Sequence, residues 1–131
     1  MAKKGRYGLG TLQAEVMDIV WRLDEATVSQ VAEHIGRIRP VTYTTVLVAM
    51  QKLEKKGWLS HRSEGRAYVF RATRTKEAIG ASQLREVLKS AFSGDVRLLL
   101  NNLLDEHPLS EPELKELRRL IDQRRREKKD G

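Results

Sequence analysis

Residues Val41–Gly57 read VTYTTVLVAMQKLEKKG, and this stretch decides the fold of the first half of the chain. Its apolar residues recur at intervals of three and four, which predicts a helix with one buried face. These residues are Val46, Ala49, Met50 and Leu53. Lys55 suits the negative end of the helix dipole, and Gly57 can take the left-handed conformation that ends a helix. We therefore predict one amphipathic helix that ends just before Gly57.

Hydroxyl groups crowd the start of this helix. Thr42, Tyr43, Thr44 and Thr45 stand together, and Gln51 lies further along the face opposite the apolar stripe. Such side chains hydrogen-bond bases and phosphates, and their methyl groups contact thymine. The alternative is an ordinary solvated helix face, and the stretch alone leaves both interpretations open.

Two shorter helices precede this stretch. The first has a helical apolar pattern, with Thr11 as its expected cap and its end near Leu23. Residues 26–28 are short enough to form a single sheet rung. Thr27 and Gln30 then fit a capping box, in which the two residues satisfy each other's backbone N–H groups at the start of the second helix. Three helices in this order predict a helix-turn-helix arrangement.

A β-hairpin is predicted directly after the third helix. Strand-forming residues flank the turn-forming run Ser63–Glu64–Gly65. A hairpin in this place is the wing of a winged helix, and its Arg62 and Arg66 can reach phosphates or the minor groove. Solvated arginines are the alternative. The linker before the third helix is also basic, at Arg37 and Arg39, where a DNA backbone would pass.

Beyond residue 73 the composition changes to long helical patterns. Thr75 is the expected cap of the first of these helices, and Ser93–Gly94–Asp95 breaks it. Ser110 and Glu113 form a second capping box at the start of the last helix. The basic run 124–129 at its end is expected to fray.

The middle C-terminal helix is apolar at six of the nine positions 96–104. A helix that is apolar so far round must be covered on more than one side. Pairing with a second copy of the chain is the usual solution, and an intramolecular cap on the winged domain is the alternative. The residues predicted at the dimer contact are Leu84, Leu88, Phe92, Leu99, Leu100, Leu103, Leu104, Leu117, Leu120 and Ile121.

The composition favours a polyanionic partner. The chain has 131 residues and a formal charge of +7, and most of the positive excess lies before residue 74. The absence of cysteine excludes disulfides, thiolate metal sites and a cysteine nucleophile. The three histidines lack metal-ligand spacing, and no catalytic motif occurs. We predict no enzyme activity, cofactor or metal and, without a signal or membrane-spanning pattern, a cytoplasmic protein.

The chain resembles the penicillinase-repressor family, which includes the BlaI, MecI and CopY regulators. The resemblance covers roughly residues 9–122, and its motifs are Leu9–Gly10 with EVMDIVW at 15–21, Tyr43–Thr44–Thr45–Val46, Leu53–Glu54–Lys55–Lys56–Gly57, Gly65–Arg66–Ala67–Tyr68, and the Ser110–Glu113 helix start with Leu114, Leu117 and Arg118.

This resemblance implies a dimeric winged-helix repressor of transcription, controlling antibiotic-resistance or stress genes. The third helix of such proteins enters the major groove of an inverted repeat that contains TACA and TGTA. The residues implied to face bases are Thr42, Tyr43, Thr44, Thr45 and Gln51, and those implied to face phosphates are Lys52, Lys55, Arg62 and Arg66.

Two departures from the family pattern concern induction. Copper-responsive members bind metal through C-terminal cysteines, which this chain lacks, so copper sensing is not predicted. The β-lactam-responsive members are cut at an Asn–Phe bond in the second C-terminal helix. Asn101–Asn102 is the matching pair here, and its missing phenylalanine leaves open whether a cut at this position induces the protein.

The predicted fold is mainly α with a small β-wing. A winged helix-turn-helix DNA-binding domain is expected over residues 1–73, and a three-helix dimerisation region with a basic tail over residues 74–131. The predicted function is sequence-specific repression by a homodimer on an inverted-repeat DNA operator, without a membrane partner. The alternative is a winged-helix module that docks a partner protein and binds no operator.

Overall fold

The computed structural model describes residues 5–130. Its elements in chain order are a short 3-10 turn at Arg6–Gly8, α1 (Thr11–Leu23), β1 (Glu25–Thr27), α2 (Val28–Gly36), α3 (Tyr43–Lys55), β2 (Leu59–Glu64), β3 (Ala67–Ala72), α4 (Lys76–Phe92), α5 (Val96–Glu106) and α6 (Glu111–Asp130). Within residues 5–130, no helix is long and apolar enough to cross a membrane. The mainly helical fold with a small β-wing is confirmed.

The chain divides into two compact units, Met1–Arg85 and Glu86–Gly131, and the division falls within α4. The predicted domain boundary after residue 73 coincides with the end of the wing. This boundary is a division by function, between a DNA-binding part and a dimerisation part, and it stays a prediction.

The first unit is built on an aliphatic core between α1, α2, α3 and the sheet. The predicted apolar face of α3 is confirmed, since Val46, Ala49, Met50 and Leu53 are all buried. The other fully buried side chains include Val16, Met17, Val20, Val31, Ile35, Leu59 and Phe70. This core fixes the rotation of α3 about its axis, and therefore which of its residues face solvent.

The three strands form an antiparallel sheet in the order β1-β3-β2. Ala26 pairs with Phe70, which attaches the short β1 to the hairpin. Glu64 pairs with Ala67, so the wing turns through Gly65 and Arg66 alone. The predicted turn Ser63–Glu64–Gly65 therefore began two residues too early and ended one residue too early. A two-residue turn needs a left-handed residue first, and Gly65 meets that need with φ of 63°.

Three local details of the helices differ from the sequence analysis. Thr11 is the first residue of α1 and not its cap, because the carbonyl of Gly10 already accepts the first helical hydrogen bond, from Ala14 N at 2.9 Å. Val28 begins α2 and is not part of the sheet rung. The basic run 124–129 does not fray, and ion pairs between neighbouring turns, including Arg124 with Glu127, accompany its helical form to Asp130.

The predicted helix starts are otherwise confirmed. Thr27 accepts from Gln30 N at 3.1 Å while the Gln30 side chain accepts from Thr27 N at 2.8 Å. Ser110 and Glu113 form the same reciprocal arrangement at the start of α6. Thr75 Oγ1 accepts from Ala78 N at 3.0 Å at the start of α4.

Candidate nucleic-acid interface

The solvent-facing side of α3 is the most distinctive surface of the winged unit. Thr44, Val48, Gln51 and Lys55 are exposed along it, opposite the buried stripe. We call these four residues the α3 crest. It runs the length of a 13-residue helix, which is about 20 Å at 1.5 Å per residue. The crest offers hydrogen-bonding groups and one cation, and it carries no carboxylate.

The hydroxyl groups at the start of α3 have two different roles. Thr42 is the N-cap, and its Oγ1 accepts from Thr45 N at 3.1 Å. The Thr42 and Thr45 hydroxyls also bond each other at 2.8 Å. The structure gives no side-chain hydrogen bond to Tyr43 or Thr44 within residues 5–130, and both side chains are exposed. Tyr43 and Thr44 therefore have hydroxyls available for a ligand, whereas Thr42 and Thr45 use theirs to start the helix.

Two grooves flank the α3 crest. On the side of α1, a cavity of about 490 Å³ is lined by Thr45, Val48, Lys52 and Lys56, together with residues at the start of α1. Lys56 Nζ donates to Gln13 Oε1 at 3.1 Å across this cavity. The groove thus places two lysines beside the crest, where a negatively charged strand would be attracted.

On the side of the hairpin, a cavity of about 240 Å³ is lined by Tyr43, Gln51, Arg66 and Tyr68, among others. We call it the wing groove. It brings together residues that the sequence analysis assigned separately to the third helix and to the wing. Tyr43 and Tyr68 are each 53% exposed. Tyr68 was not among the predicted site residues, although its aromatic side chain beside the tip of a polar hairpin was a visible signal.

The two wing arginines differ in their partners. Arg62 donates to Glu25 at 2.8 and 3.0 Å and to Glu64 at 3.0 Å. These hydrogen bonds raise the pKa of Arg62, and the bond from Arg62 lowers the pKa of Glu25. Arg66 lies in the exposed turn, and within residues 5–130 no carboxylate is within salt-bridge distance of it. Arg66 is therefore more available to a ligand than Arg62, whose charge is balanced by the carboxylates of Glu25 and Glu64.

The basic linker before α3 is tied down by an ion pair. Arg39 donates to both carboxylate oxygens of Glu15 on α1, the Nη2–Oε1 distance being 2.7 Å. These bonds raise the pKa of Arg39. Arg37 pairs with Glu33 on α2 at 3.2 Å. Arg39 therefore holds the linker against α1, three residues before the Thr42 cap, and so helps to fix where α3 begins.

The C-terminal helices expose much of their apolar surface. Within residues 80–130 no residue is buried in the single chain. Val96 is 62% exposed and Ile121 is 54% exposed. Of the residues predicted at the dimer contact, Leu84, Leu100, Leu103, Leu117, Leu120 and Ile121 are exposed and Leu88, Phe92, Leu99 and Leu104 are half-buried.

The pair Asn101–Asn102 lies within α5, and both residues are exposed. Asn102 Nδ2 donates to the carbonyl of Leu98 at 2.9 Å, one turn earlier. A protease needs extended backbone, so a cut at this pair would require local unfolding of α5. Regulatory cleavage at these residues stays a prediction.

Three helices, a polar third-helix crest and a hairpin whose tip lines a groove with that crest define a winged helix-turn-helix protein. In DNA-binding helix-turn-helix proteins, the recognition helix lies in the major groove. The sequence comparisons narrow the class. The chain belongs to the penicillinase repressor family, whose model matches residues 9–123, and the predicted family membership is therefore confirmed.

Two curated relatives are similar over most of this chain. The penicillinase repressor of Bacillus licheniformis is 23% identical over 118 residues, which are 90% of this chain and 92% of that protein. The transcriptional regulator BlaI of Mycobacterium tuberculosis is 34% identical over 92 residues, 70% of this chain and 65% of that protein. The family is one of transcriptional repressors, and this chain is a DNA-binding transcriptional repressor.

A solved structure is also similar. The solution structure of the DNA-binding domain of the repressor BlaI covers 60% of this chain and 93% of that domain, with 23% identity and a TM-score of 0.49.

Proposed function

We propose that this protein represses transcription by binding an inverted-repeat operator as a homodimer, with one α3 in the major groove of each half-site. The observation that carries the proposal is the α3 crest, a carboxylate-free polar face held outward by a buried apolar stripe. A helix with its side chains is about 10–12 Å wide, and the major groove is about 12 Å wide, so the crest can enter it.

The base-reading residues of this proposal are Tyr43, Thr44 and Gln51. Thr42 and Thr45 lie beside them at the start of the helix. Gln51 is suited to a bidentate contact with adenine, and threonine methyl groups are suited to thymine. A repeat of the TACA and TGTA type contains both bases. The side chains of these residues are thus suited to the bases of the operator that the family resemblance implies.

The phosphate-contacting residues of the proposal are Lys55 at the end of the crest, Lys52 in the groove beside α1 and Arg66 in the wing groove. Lys52 and Lys55 flank one backbone strand, and Arg66 on the wing meets the other. Arg62 is the weakest of the four candidates, because a phosphate would have to compete with Glu25 and Glu64 for its guanidinium group. Each cation that neutralises a phosphate releases counterions, so affinity should fall steeply with salt.

The exposed apolar surface of the C-terminal helices supports the homodimer of this proposal. Neither α5 nor α6 has a buried residue in the single chain, and isolated helices of this kind are poorly stable in water on their own. Self-association of residues 84–121 would cover them. Dimeric helix-turn-helix proteins read half-sites whose centres lie about 34–36 Å apart, one turn of DNA, or at multiples of that distance.

The test is a selection of duplexes from a random-sequence pool by the purified full chain. We expect enrichment of an inverted repeat with TACA-like and TGTA-like halves. Enrichment of an unrelated repeat would contradict the proposed operator but support sequence-specific binding. No enrichment at any sequence would contradict operator binding, and it would favour the protein-docking alternative.

A further inference from the structure

We propose that the wing groove binds one phosphate of the DNA strand, with Tyr68 as a further DNA-contacting residue and Glu54 and His61 as positioning residues. This inference rests on the proposed function, because it requires a duplex on the α3 crest. It adds a defined backbone site to the base contacts and assigns its charge and its directed hydroxyl to the wing residues Arg66 and Tyr68.

The chemistry of the wing groove selects for an anion. Its lining includes the guanidinium group of Arg66, the hydroxyls of Ser29, Tyr43 and Tyr68, and the amide of Gln51, and it includes no carboxylate. The larger cavity beside α1 and the start of α4 is different, because Asp18, Asp24 and Glu77 line it. Hydroxyl and guanidinium donors are the groups that proteins use to hold phosphate oxygens.

The volume of the groove fits the same ligand. About 240 Å³ is several times the roughly 30 Å³ that one water molecule occupies in the liquid. A phosphate group with part of its hydration shell fits in this space. The groove also opens beside the crest, so a strand that leaves the major groove passes over it.

Tyr68 is held at this groove by a line of contacts from α3. Glu54, in the last turn of α3, bonds His61 Nδ1 with both carboxylate oxygens, at 2.7 and 2.8 Å. The His61 ring lies against the Tyr68 ring, with 4.6 Å between centroids. The His61 ring also lies near the ring of the buried Phe70, with 5.2 Å between the centroids.

These contacts explain how an exposed tyrosine can make a specific contact. A free side chain loses rotamer entropy when it binds, and a side chain that is already fixed loses less. The His61 ring limits the positions of the Tyr68 ring, and Glu54 fixes the His61 ring relative to α3. The wing hydroxyl therefore keeps a set distance from the helix that reads the bases.

The charge and the hydroxyl of this site should have separable effects. Arg66 supplies the positive charge, and its loss should reduce the salt dependence of binding. The Tyr68 hydroxyl supplies a directed hydrogen bond without a charge. Its loss should lower the affinity about 10-fold, the range for a hydrogen bond to a charged group, and leave the salt dependence unchanged.

The experiment uses the duplex that the full-length wild-type chain enriches from a random pool. A set of such duplexes is prepared, each with one phosphate replaced by an uncharged methylphosphonate. Affinities are measured for wild type, Tyr68→Phe and His61→Ala, with Ser60→Ala as the control because Ser60 is an exposed hydroxyl of the same wing outside the groove lining. Thermal unfolding of each variant is recorded alongside.

We expect one phosphate in each half-site whose replacement weakens wild-type binding more than it weakens Tyr68→Phe, in which only the Arg66 contact to that phosphate is left to lose. His61→Ala should show the same reduced sensitivity at that phosphate, and adding Tyr68→Phe to it should change little, because both act through one contact. Ser60→Ala should keep the wild-type pattern.

Two results would overturn the inference and leave the proposed function standing. In one, Tyr68→Phe keeps the wild-type affinity for every duplex. In the other, it loses affinity equally at all phosphates, which would show an effect without a local contact. If the wild-type chain enriches no duplex, the proposed function and this inference fail together.

Discussion

At the start of α3, Thr42 has a role in folding, and we propose that Thr44 reads bases. Thr42 Oγ1 accepts a 3.1 Å hydrogen bond from Thr45 N, whereas Thr44 is exposed on the crest. Loss of an N-cap threonine costs about 1 kcal/mol in the free energy of unfolding. For a domain of this size that lowers Tm by about 4 °C. We expect that decrease for Thr42→Ala and almost none for Thr44→Ala, because exposed positions without such contacts tolerate substitution.

Discrimination between DNA sequences should be affected more by Thr44→Ala than by Thr42→Ala. Loss of a base contact costs about 1–3 kcal/mol in discrimination, so Thr44→Ala should reduce the ratio of affinities for the enriched and scrambled duplexes by about tenfold. Thr45→Ala should lower both Tm and this ratio, because the Thr45 hydroxyl also bonds Thr42.

The assay pairs thermal unfolding with fluorescence anisotropy on the two duplexes. Both tryptophans, Trp21 and Trp58, lie in the winged unit, so their fluorescence reports the unfolding of that unit. A Thr44→Ala variant with an unchanged affinity ratio would refute the assignment of the crest as the reader. An unchanged Tm for Thr42→Ala would refute the energetic role of the cap.

Three further predictions concern the wing, the dimer and the last helix. Arg66→Ala should weaken binding to enriched and scrambled duplexes alike and reduce the salt slope by about one unit, and a loss on the enriched duplex alone would instead indicate base reading. Leu100→Asp should give monomers in light scattering and lose most DNA affinity, because it places an unpaired charge in the proposed contact. Asn101→Asp on the same helix should remain dimeric. A dimeric Leu100→Asp variant would contradict the proposed interface. The side-chain hydrogen bond from Ser110 lowers the pKa of Glu113 below its ordinary value of 4.5. The stabilising effect of ionised Glu113 is therefore present above about pH 4.5 and is lost as the pH falls through the lower pKa of the folded state. Helicity measured by circular dichroism should show a decrease in acid that is smaller in Ser110→Ala. The same pH profile for Ser110→Ala and wild type would contradict this prediction.

Features that depend on neighbouring residues could be predicted from the sequence. The caps at Thr27, Thr75 and Ser110 each bond a residue three positions away, and their patterns were visible in the chain. The buried face of α3 follows from helical periodicity, which is also local. Even here the first residue of α1 was misplaced, because a glycine carbonyl can begin a helix without a side-chain cap.

Features that depend on distant residues could not be predicted in the same way. Arg62 was assigned to phosphate contact, but its partner Glu25 is 37 positions earlier and meets it only across the folded sheet. The bond between Arg39 and Glu15 is hidden for the same reason. The line from Glu54 through His61 to Tyr68 joins a helix end to two strands, and only the sheet register brings its members together.

The most direct test of the account is the ratio of two dissociation constants for the wild-type chain, measured at one stated salt concentration. One duplex carries the enriched inverted repeat, and the other has the same base composition in scrambled order. If the α3 crest reads bases from both subunits of a dimer, the enriched duplex should bind at least about 10³-fold more tightly, as specific DNA-binding proteins do. A ratio near one, with binding that depends only on salt, would contradict sequence-specific repression by this helix.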